Sequence, residues 1–282
     1  MGAHLKGRLS PGEWVVRCLL AISALVIIFP LLWTFYTSFK TNEEFLGSIW
    51  SLPKVWNWDN YIRAFEVAKI GSYFINSIFL TLMAIAFMFL MGLPAAYILS
   101  RMEFRFRKVI FAFFMSGMFI STTYTVLPIF LMLNKVKLLN NLPVLAFVYA
   151  ATTLSYNIFL MAGFFRGISK DYEDAAEIDG CGYLQKIGLV IVPLSRSGLF
   201  VVVLFAFMSY WNEYVLGFTV LRDRALMTLP IGLANLMEIQ QFATDWGAMF
   251  AGLVTVMIPT MLVYIFVQKY LTAGISIGGL KG

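Results

Sequence analysis

The stretch SKDYEDAAEIDGCGYLQKIGLVIVP, residues 169–193, is a strongly polar insertion between apolar runs, and its acids, glycines and proline follow a fixed spacing. Ser169 can cap a short helix, because serine is a preferred residue at a helix N-terminus. Acids in the first turns favour the same end of the helix, and Gly180 and Gly182 supply its stop. The stretch therefore predicts a helix of about ten residues, roughly 15 Å long.

One face of this predicted helix is suited to contact another protein. At about 100° per residue, Tyr172, Ala175 and Ala176 share a face, so an aromatic side chain lies beside two residues small enough to admit another backbone. The other face is mostly acidic. The alternative interpretation is an ordinary amphipathic loop on the protein surface.

The run Asp174-Ala175-Ala176, followed by Gly180 and Pro193, resembles the cytoplasmic EAA loop of the membrane subunits of ATP-binding-cassette importers. That loop reads E-A-A, three residues, G, nine residues and I-x-L-P. Here Asp174 stands for Glu, Val190 for Ile and Val192 for Leu. The resemblance implies that the loop couples the chain to an ATPase through Tyr172, Glu173, Asp174, Ala175, Ala176, Asp179, Gly180 and Pro193.

The composition places the chain in a membrane. Hydrophobic residues make up 60% of the chain and charged residues 13%, against about 25% charged in soluble proteins. The two cysteines, Cys18 in an apolar run and Cys181 in the polar stretch, are too few for a disulfide framework. No spacing of Cys and His suggests a metal site, and His4 is the only histidine.

Runs free of charge predict six transmembrane helices, since a span needs about 20 mostly apolar residues. The predicted spans cover about residues 16–38, 72–99, 109–133, 142–165, 194–218 and 246–268, with the coupling helix at about 169–182. Pro94 and Pro128 predict kinks in the second and third spans. The predicted fold class is all-α: residues 1–282 form a single polytopic transmembrane domain with a cytoplasmic coupling helix.

The basic residues predict the orientation. Cytoplasmic loops are enriched in Lys and Arg, and the short loop 101–108 carries Arg101, Arg105, Arg107 and Lys108 against one acid. With six spans, this loop, the coupling helix and both termini are expected in the cytoplasm. The same distribution argues against a nucleic-acid role, because the basic residues do not gather on one element with aromatic residues between them.

The chain contains no means of its own to use ATP. No G-x-x-x-x-G-K-[ST] phosphate-binding loop occurs, so ATP and Mg²⁺ are expected on a partner ATPase and no cofactor on this chain. An ion-coupled carrier keeps ionisable groups at membrane depth, and Glu213 is the plausible candidate. A secondary carrier that uses Glu213 is therefore the alternative function, and a purely structural membrane subunit is a weaker one. An enzyme is disfavoured, because no HExxH pair occurs.

The resemblance extends over nearly the whole chain. The segments SFKTNEEF at 38–45, Trp211-Asn212-Glu213 and TLPIGL at 228–233 resemble the carbohydrate-uptake branch of these permeases, and in particular the shorter, second permease of maltose and multiple-sugar importers. The resemblance implies import of a sugar or oligosaccharide through a path shared with a sister permease. It also implies two copies of a cytoplasmic ATPase, an extracytoplasmic solute-binding protein and a location in a bacterial or archaeal cytoplasmic membrane.

Seven polar or aromatic residues are candidates for the substrate path, because hydroxyls, amides and carboxylates bind sugar hydroxyls and aromatic rings stack on sugars. They are Tyr210, Trp211, Asn212, Glu213, Tyr124, Asn157 and Asn76. The alternative for Glu213 is a position at the outer interface or an ion pair with Arg222 or Arg224. The alternative for the amides and Tyr124 is hydrogen bonding between helices.

The segment 222–245 is predicted to be an outer loop, longer than the usual 2–8 residues between helices. Its polar and apolar residues are suited to contact another protein in water. In the related importers this region reaches into the solute-binding protein, which implies that role for Glu238, Ile239, Gln240, Gln241 and Phe242. The alternative is a loop packed on its own subunit.

Overall fold

The computed structural model describes residues 11–66, 69–239 and 245–278, and the described part contains helices and connecting turns but no strand. The α-helices, in chain order, are α1 Pro11–Thr37, α2 Asn42–Gly47, α3 Asp59–Glu66, α4 Ile70–Arg101, α5 Arg107–Ser116, α6 Thr122–Lys135, α7 Leu142–Thr152, α8 Leu154–Arg166, α9 Asp171–Ile178, α10 Tyr183–Gln185, α11 Val192–Leu194, α12 Arg196–Trp211, α13 Val215–Val220, α14 Leu229–Ile239 and α15 Trp246–Gly278. Short 3₁₀ turns cover Gly117–Phe119 and Arg224–Leu226, and a π-helix covers Lys186–Ile191. The predicted all-α class is confirmed.

Helix α4 is the centre of the bundle. It packs along α7 and α8 on one side and against α12 and α14 on the other. Its residues Leu80, Ala84 and Met88 are fully buried in the same core as Leu145 of α7 and Met161 of α8. By contrast, most of α1 is exposed apolar surface and contacts the rest of the chain mainly through α15. Apolar side chains that are exposed in a membrane protein face lipid or a partner subunit.

Three of the predicted spans are broken. Among the described residues three single helices are long and apolar enough to cross a membrane, and the number rises to six if each bent pair is one span. The pairs bend by 97° between α5 and α6, by 56° between α7 and α8, and by 87° between the rod Tyr183–Leu194 and α12. The break in the third span lies before Thr122, whereas Pro128 lies inside α6, so the kink expected at Pro128 stays a prediction.

The segment 222–245, predicted to be a loop, contains a packed helix. Leu229 and Ile231 of α14 are fully buried, and the Leu229 N–H donates to Ser77 Oγ at 2.8 Å. Asn76 Nδ2 donates to the carbonyl oxygens of Ala225 and Met227 at 2.9 and 3.0 Å. The polar groups of α4 thus hold the part of this segment from Ala225 to Leu229 against its own subunit, while the role predicted for residues 238–242 stays a prediction.

The end of the bundle at Ile70 is closed by side-chain contacts between α3 and the start of α15. Arg63 donates to both carboxylate oxygens of Asp245, from Nε at 2.7 Å and from Nη2 at 3.2 Å. The buried amide of Asn60 donates to the carbonyl oxygens of Ser38 and Lys40 at 2.7 and 2.8 Å. The opposite end of the bundle, at Arg101, carries α9.

Candidate functional site

Helix α9, Asp171–Ile178, is referred to below as the docking helix. Asp171, Glu173 and Asp174 lie in its first turn, where carboxylates interact favourably with the helix dipole. Gly180 has a φ of +84°, and the Cys181 N–H donates to the Ala176 carbonyl oxygen at 2.9 Å. This is the left-handed glycine stop that closes many helices.

The predicted cap at Ser169 is present as a long hydrogen bond, since Ser169 Oγ accepts from the N–H of Asp171, the first residue of the docking helix, at 3.4 Å. The residue that precedes the docking helix is Lys170, whose side chain makes no capping hydrogen bond. Ser169 also donates from Oγ to the Asp171 carboxylate at 2.9 Å. The first-turn carboxylates add to this long hydrogen bond through the helix dipole.

The exposed face of the docking helix differs from the predicted one. Tyr172, Ala175 and Asp179 are exposed, whereas Ala176 and Glu173 are buried against the permease itself. Ala176 lies at the edge of the predicted face, about 60° from Glu173 on a helical wheel. The contact made by Glu173 turns that edge inward, so Ala176 was assigned to the wrong face.

Glu173 is held by Arg101, the last residue of α4. Arg101 Nε donates to Glu173 Oε1 at 2.9 Å, and Arg101 Nη1 donates to the carbonyl oxygen of Ile168 at 2.8 Å. The two side chains are 5% and 11% exposed. In the sequence analysis Arg101 was used only as a basic loop residue that predicts the membrane orientation. Its partner Glu173 lies 72 residues away, and no local spacing indicated the pair.

A second ion pair holds the C-terminal turn of the docking helix, one turn along the same face as Glu173. Lys186 Nζ, on the π-helix, donates to Glu177 Oε2 at 2.6 Å. This hydrogen bond and the lysine charge keep the pKa of Glu177 below its ordinary value. The lysine side chain is buried while the carboxylate is mostly exposed. The docking helix is therefore tied both to α4 and to the rod that leads into α12.

Two of the three helix breaks, the one before α6 and the one between α7 and α8, meet at one polar space, which we call the break cavity. It consists of two adjoining cavities of about 310 and 150 Å³. Both are lined by Thr122 at the start of α6, by Thr152 and Thr153 at the α7–α8 break, and by Ser209 near the end of α12. Irregular backbone at membrane depth is tolerated where it is buried in protein or lines a cavity.

Several hydroxyls on the wall of the break cavity have no partner within the described chain. They belong to Thr122, Thr123, Ser155 and Ser209. Asn157 also lines the cavity, and its Oδ1 is buried without a hydrogen-bond partner among the described residues. An unsatisfied buried polar atom such as Asn157 Oδ1 is costly, and the residues Thr122, Thr123 and Ser209 are exposed on the same wall, so this wall is suited to bind water or a hydroxyl-rich ligand.

The remaining polar groups of the wall bond to one another. Thr153 Oγ1 donates to the Tyr149 carbonyl oxygen at 3.0 Å and accepts from Asn157 Nδ2 at 3.1 Å. The same Oγ1 lies 2.6 Å from the Tyr210 hydroxyl. The Tyr149 and Tyr210 rings are stacked, with centroids 6.0 Å apart. This network fixes the positions of the side chains around the cavity.

Glu213 accepts three hydrogen bonds within the described chain. Its carboxylate accepts from the Tyr149 hydroxyl, from the Leu216 N–H at 2.7 Å and from the Gly217 N–H at 2.9 Å. It therefore closes the first turn of α13, where helix N–H groups lack partners. No ion pair joins it to Arg222 or Arg224 in the described part of the chain.

The structure brings only some of the predicted path residues together. Tyr210, Glu213 and Asn157 line the break cavity, whereas Tyr124 is almost fully exposed on α6. Trp211 is buried and donates from Nε1 to the Val256 carbonyl oxygen at 3.2 Å, so its ring has no free face for a ligand.

The other predicted residues lie away from this cavity. Asn212 donates to the Met208 carbonyl oxygen at 2.9 Å, and Asn76 holds the segment before α14. Glu238 and Ile239 end α14, and Gln240, Gln241 and Phe242 lie outside the described residues.

Comparison with known proteins gives consistent matches. Residues 88–277 match the family described as binding-protein-dependent transport system inner membrane component. The diacetylchitobiose uptake system permease protein NgcG of Streptomyces coelicolor is 33% identical over 267 residues, which are 95% of this chain and 88% of that protein. The melibiose/raffinose/stachyose import permease protein MelC of Bacillus subtilis is 28% identical over 269 residues, covering 95% of this chain and 96% of that protein.

A solved structure is similar over almost the whole chain. It is the crystal structure of a bacterial ABC transporter involved in the import of the acidic polysaccharide alginate. The match has a TM-score of 0.81 and 25% sequence identity, and it covers 94% of this chain and 99% of that chain.

Proposed function

The chain belongs to the family of binding-protein-dependent transport system inner membrane components, and on that premise we propose that it is a permease subunit of an ATP-driven importer of sugars or oligosaccharides. The observation that carries the substrate class is the break cavity. Its unpartnered wall hydroxyls and the free Asn157 Oδ1 offer the donors and acceptors that sugar hydroxyls need. The named relatives, a diacetylchitobiose uptake permease and a melibiose/raffinose/stachyose import permease, support the same class.

The charge on the cavity wall favours an uncharged sugar. No Lys or Arg lines either part of the break cavity, and Glu213 is the acid there. Anionic sugars are usually held by Arg or Lys, which this wall lacks. The share of the path contributed by this subunit is therefore suited to a neutral sugar ring.

The energy for transport is proposed to come from separate ATPase chains, which bind ATP and Mg²⁺. Two copies would act on two permeases, this chain and a longer sister subunit. The docking helix presents Tyr172, Ala175 and Asp179 on its exposed face for one ATPase. The Arg101–Glu173 ion pair then transmits its displacement to α4, which packs against α7, α8 and α12 around the break cavity.

The remaining partners follow from the same proposal. A solute-binding protein would deliver the sugar at the Ile70 end of the bundle, and residues 238–242 stay the predicted contact segment. The docking helix and both termini would lie in the cytoplasm, at the end where Arg101, Arg105, Arg107 and Lys108 gather. The membrane would be the cytoplasmic membrane of a bacterium or archaeon.

Ion-coupled transport through Glu213 is disfavoured by its contacts. A carboxylate that accepts from Tyr149 and from two backbone N–H groups serves as a helix cap, and its protonation would disrupt the start of α13. The function of Glu213 is therefore structural.

The proposal is tested by reconstituting the chain with its sister permease, ATPase and binding protein in liposomes. We expect enclosed ATP to drive uptake of neutral di- and trisaccharides, and Na⁺ or proton gradients without ATP to drive none. Gradient-driven uptake would contradict the proposal.

Variants test the cavity separately. Ser209→Val and Thr122→Val remove hydroxyls that have no partner in the described chain, so they should raise the KM for uptake several-fold with little change in basal ATP hydrolysis. Thr125→Val is the matched control, since that hydroxyl lies outside the cavity and bonds to the Thr122 carbonyl oxygen at 2.8 Å. Equal KM values in all three variants would show that the break cavity is not part of the substrate path.

A further inference from the structure

A basic pocket lies at the junction of α4 and α5, at the Arg101 end of the bundle, and we call it the junction pocket. Its volume is about 670 Å³. Four cations and one acid line it: Arg105, Arg107, Lys108, Arg166 and Glu103. Leu99, Phe104 and Phe111 complete the wall. The pocket therefore combines an excess of positive charge with an apolar side.

Three of these cations are not neutralised by the protein. Arg107 is engaged, because it donates from Nε to the Leu99 carbonyl oxygen at 3.0 Å and from Nη2 to that of Ser100 at 3.1 Å. Arg105, Lys108 and Arg166 form no ion pair with a carboxylate in the described part of the chain.

Aromatic rings hold two of the free guanidinium groups. Arg166 lies over the Phe111 ring at 4.8 Å, and Arg105 lies over the Phe106 ring at 5.5 Å. A ring on one face of a guanidinium leaves its N–H groups, which lie in the plane, available to an oxygen acceptor. Glu103 is exposed and faces Lys170 at 3.9 Å, so it does little to neutralise the three cations.

The pocket lies at the level of the membrane surface. It opens between the end of α4, a helix of 32 apolar-rich residues, and the start of α5. The surface of α5 that follows is apolar, with Val109, Ile110 and Phe113 exposed. A ligand that carries a phosphate and a hydrocarbon chain can contact both regions at once.

We propose that the junction pocket binds the phosphodiester headgroup of an anionic phospholipid, whose acyl chains lie along the exposed apolar residues of α5. Arg105, Lys108 and Arg166 bind the phosphate oxygens by charge-assisted hydrogen bonds. The pocket shares the α4–α5 junction with Arg101, which holds the docking helix. A bound lipid therefore stabilises the α4–α5 junction, where Arg101 holds the docking helix.

The experiment uses the complete transporter purified in detergent. Phosphatidylglycerol and phosphatidylcholine retained per complex are counted by native mass spectrometry, for the wild type and for the double variant Arg105→Gln/Lys108→Gln. The matched control is Lys135→Gln/Lys137→Gln. These two lysines lie at the C-terminal end of α6, away from the junction pocket, and form no ion pair in the described chain.

We expect the pocket variant to retain phosphatidylglycerol with an apparent affinity about 25-fold lower, since each of the two cations removed contributes about fivefold near an anionic surface. The control and the phosphatidylcholine count should not change. Equal retention of the two lipids by the wild type, or equal phosphatidylglycerol retention by the two variants, would overturn the proposal.

Two further measurements separate other occupants. Inorganic phosphate is added during detergent washing, and displacement of phosphatidylglycerol at millimolar phosphate would indicate a free-anion site in place of a lipid site. Recovery of the sister permease and ATPase is measured for each variant. Loss of these subunits with unchanged lipid retention would show that an acidic protein segment occupies the pocket, and would likewise overturn the proposal.

Discussion

Arg101 at the end of α4 forms an ion pair with Glu173 of the docking helix, with 2.9 Å between Nε and Oε1 and both side chains largely buried. The pair joins the central helix of the bundle to the element that we propose contacts the ATPase. Arg101 also donates to the carbonyl oxygens of Phe165 and Ile168, so it fixes the end of α8 as well. One side chain thus connects α4, α8 and the docking helix.

Breaking this pair should uncouple the transporter. Arg101→Leu leaves the buried Glu173 carboxylate and two carbonyl oxygens without a donor, and removal of one partner from a buried pair costs about 3–5 kcal/mol. We expect a lower midpoint of thermal unfolding, and ATP hydrolysis that continues with little sugar uptake. The measurement is sugar transported per ATP in liposomes, beside the unfolding midpoint of the purified complex.

Lys170→Gln is the control for Arg101→Leu, because it removes an exposed pair with Glu103 at 3.9 Å. Exposed pairs contribute about 0–1 kcal/mol, so its coupling ratio should equal that of the wild type. A wild-type ratio in Arg101→Leu would show that the pair does not transmit movement of the docking helix.

Ala175 and Ala176 are neighbours in the sequence but should respond differently to a bulky substitution. Ala175→Trp adds a side chain to the exposed face of the docking helix, so it should lower recovery of the ATPase with the permease while the permease itself folds normally. Ala176 is buried and the docking helix packs on the π-helix Lys186–Ile191, so Ala176→Trp should lower the stability of the permease. Recovery of the ATPase and the unfolding midpoint are measured for both; identical profiles would contradict the orientation of the helix.

The sequence predicted the family, the all-α class and the position of the docking helix, because each depends on composition or on local spacing. The spacing from Asp174 to Pro193 identified an importer loop, and the family match agrees with it. The orientation of the docking helix was not accessible in this way. It depends on Arg101, which is distant in sequence and whose partner no periodicity indicates.

The helix breaks were missed for a related reason. Hydropathy measures the length of an apolar run. Thr122 and Thr153 lower it too little to reveal that the helix breaks at these residues. Proline was used as the signal for a kink, but Pro94 and Pro128 lie inside α4 and α6 and not at any of the three breaks. Neighbouring helices set the break positions, and the polar residues there line a shared cavity.

Glu213 was identified from the sequence as an ionisable residue at membrane depth, but its function as a helix cap depends on Tyr149 in another helix.

Gly198 should tolerate no side chain. A Cβ at this position of α12 would overlap the Phe164 ring of α8, so the two helices approach closely because the glycine has no side chain. Gly198→Ala should destabilise the permease by about 1–3 kcal/mol through overpacking. Gly163→Ala is the matched control, since nothing lies within 4 Å of its added carbon. The unfolding midpoints of both variants are compared; a midpoint for Gly198→Ala at or above that of Gly163→Ala would contradict the close approach.

Asp245 should lose its stabilising effect at low pH. Burial raises the pKa of its carboxyl, but hydrogen bonds from Arg63 and from the Ala248 N–H outweigh burial and hold the pKa below its ordinary value of 3.8. A carboxyl with a lowered pKa in the native state stabilises the fold above its ordinary pKa. That stabilisation is lost as the pH falls through the lowered native value.

The prediction compares the wild type with Asp245→Asn at pH 7, 5, 4 and 3, because both proteins share every other titrating group. Asparagine retains an oxygen for the Ala248 N–H but loses the charge that attracts Arg63, so the wild type should have the higher unfolding midpoint at pH 7 and 5. The difference should shrink below about pH 4 as Asp245 becomes protonated. Asp245→Ala should lower the midpoint further at every pH, since it also removes the capping oxygen, at a cost of about 1 kcal/mol. A difference between wild type and Asp245→Asn that persists unchanged to pH 3, or that vanishes already at pH 5, would show that the Arg63 contact does not set the pKa of this carboxyl.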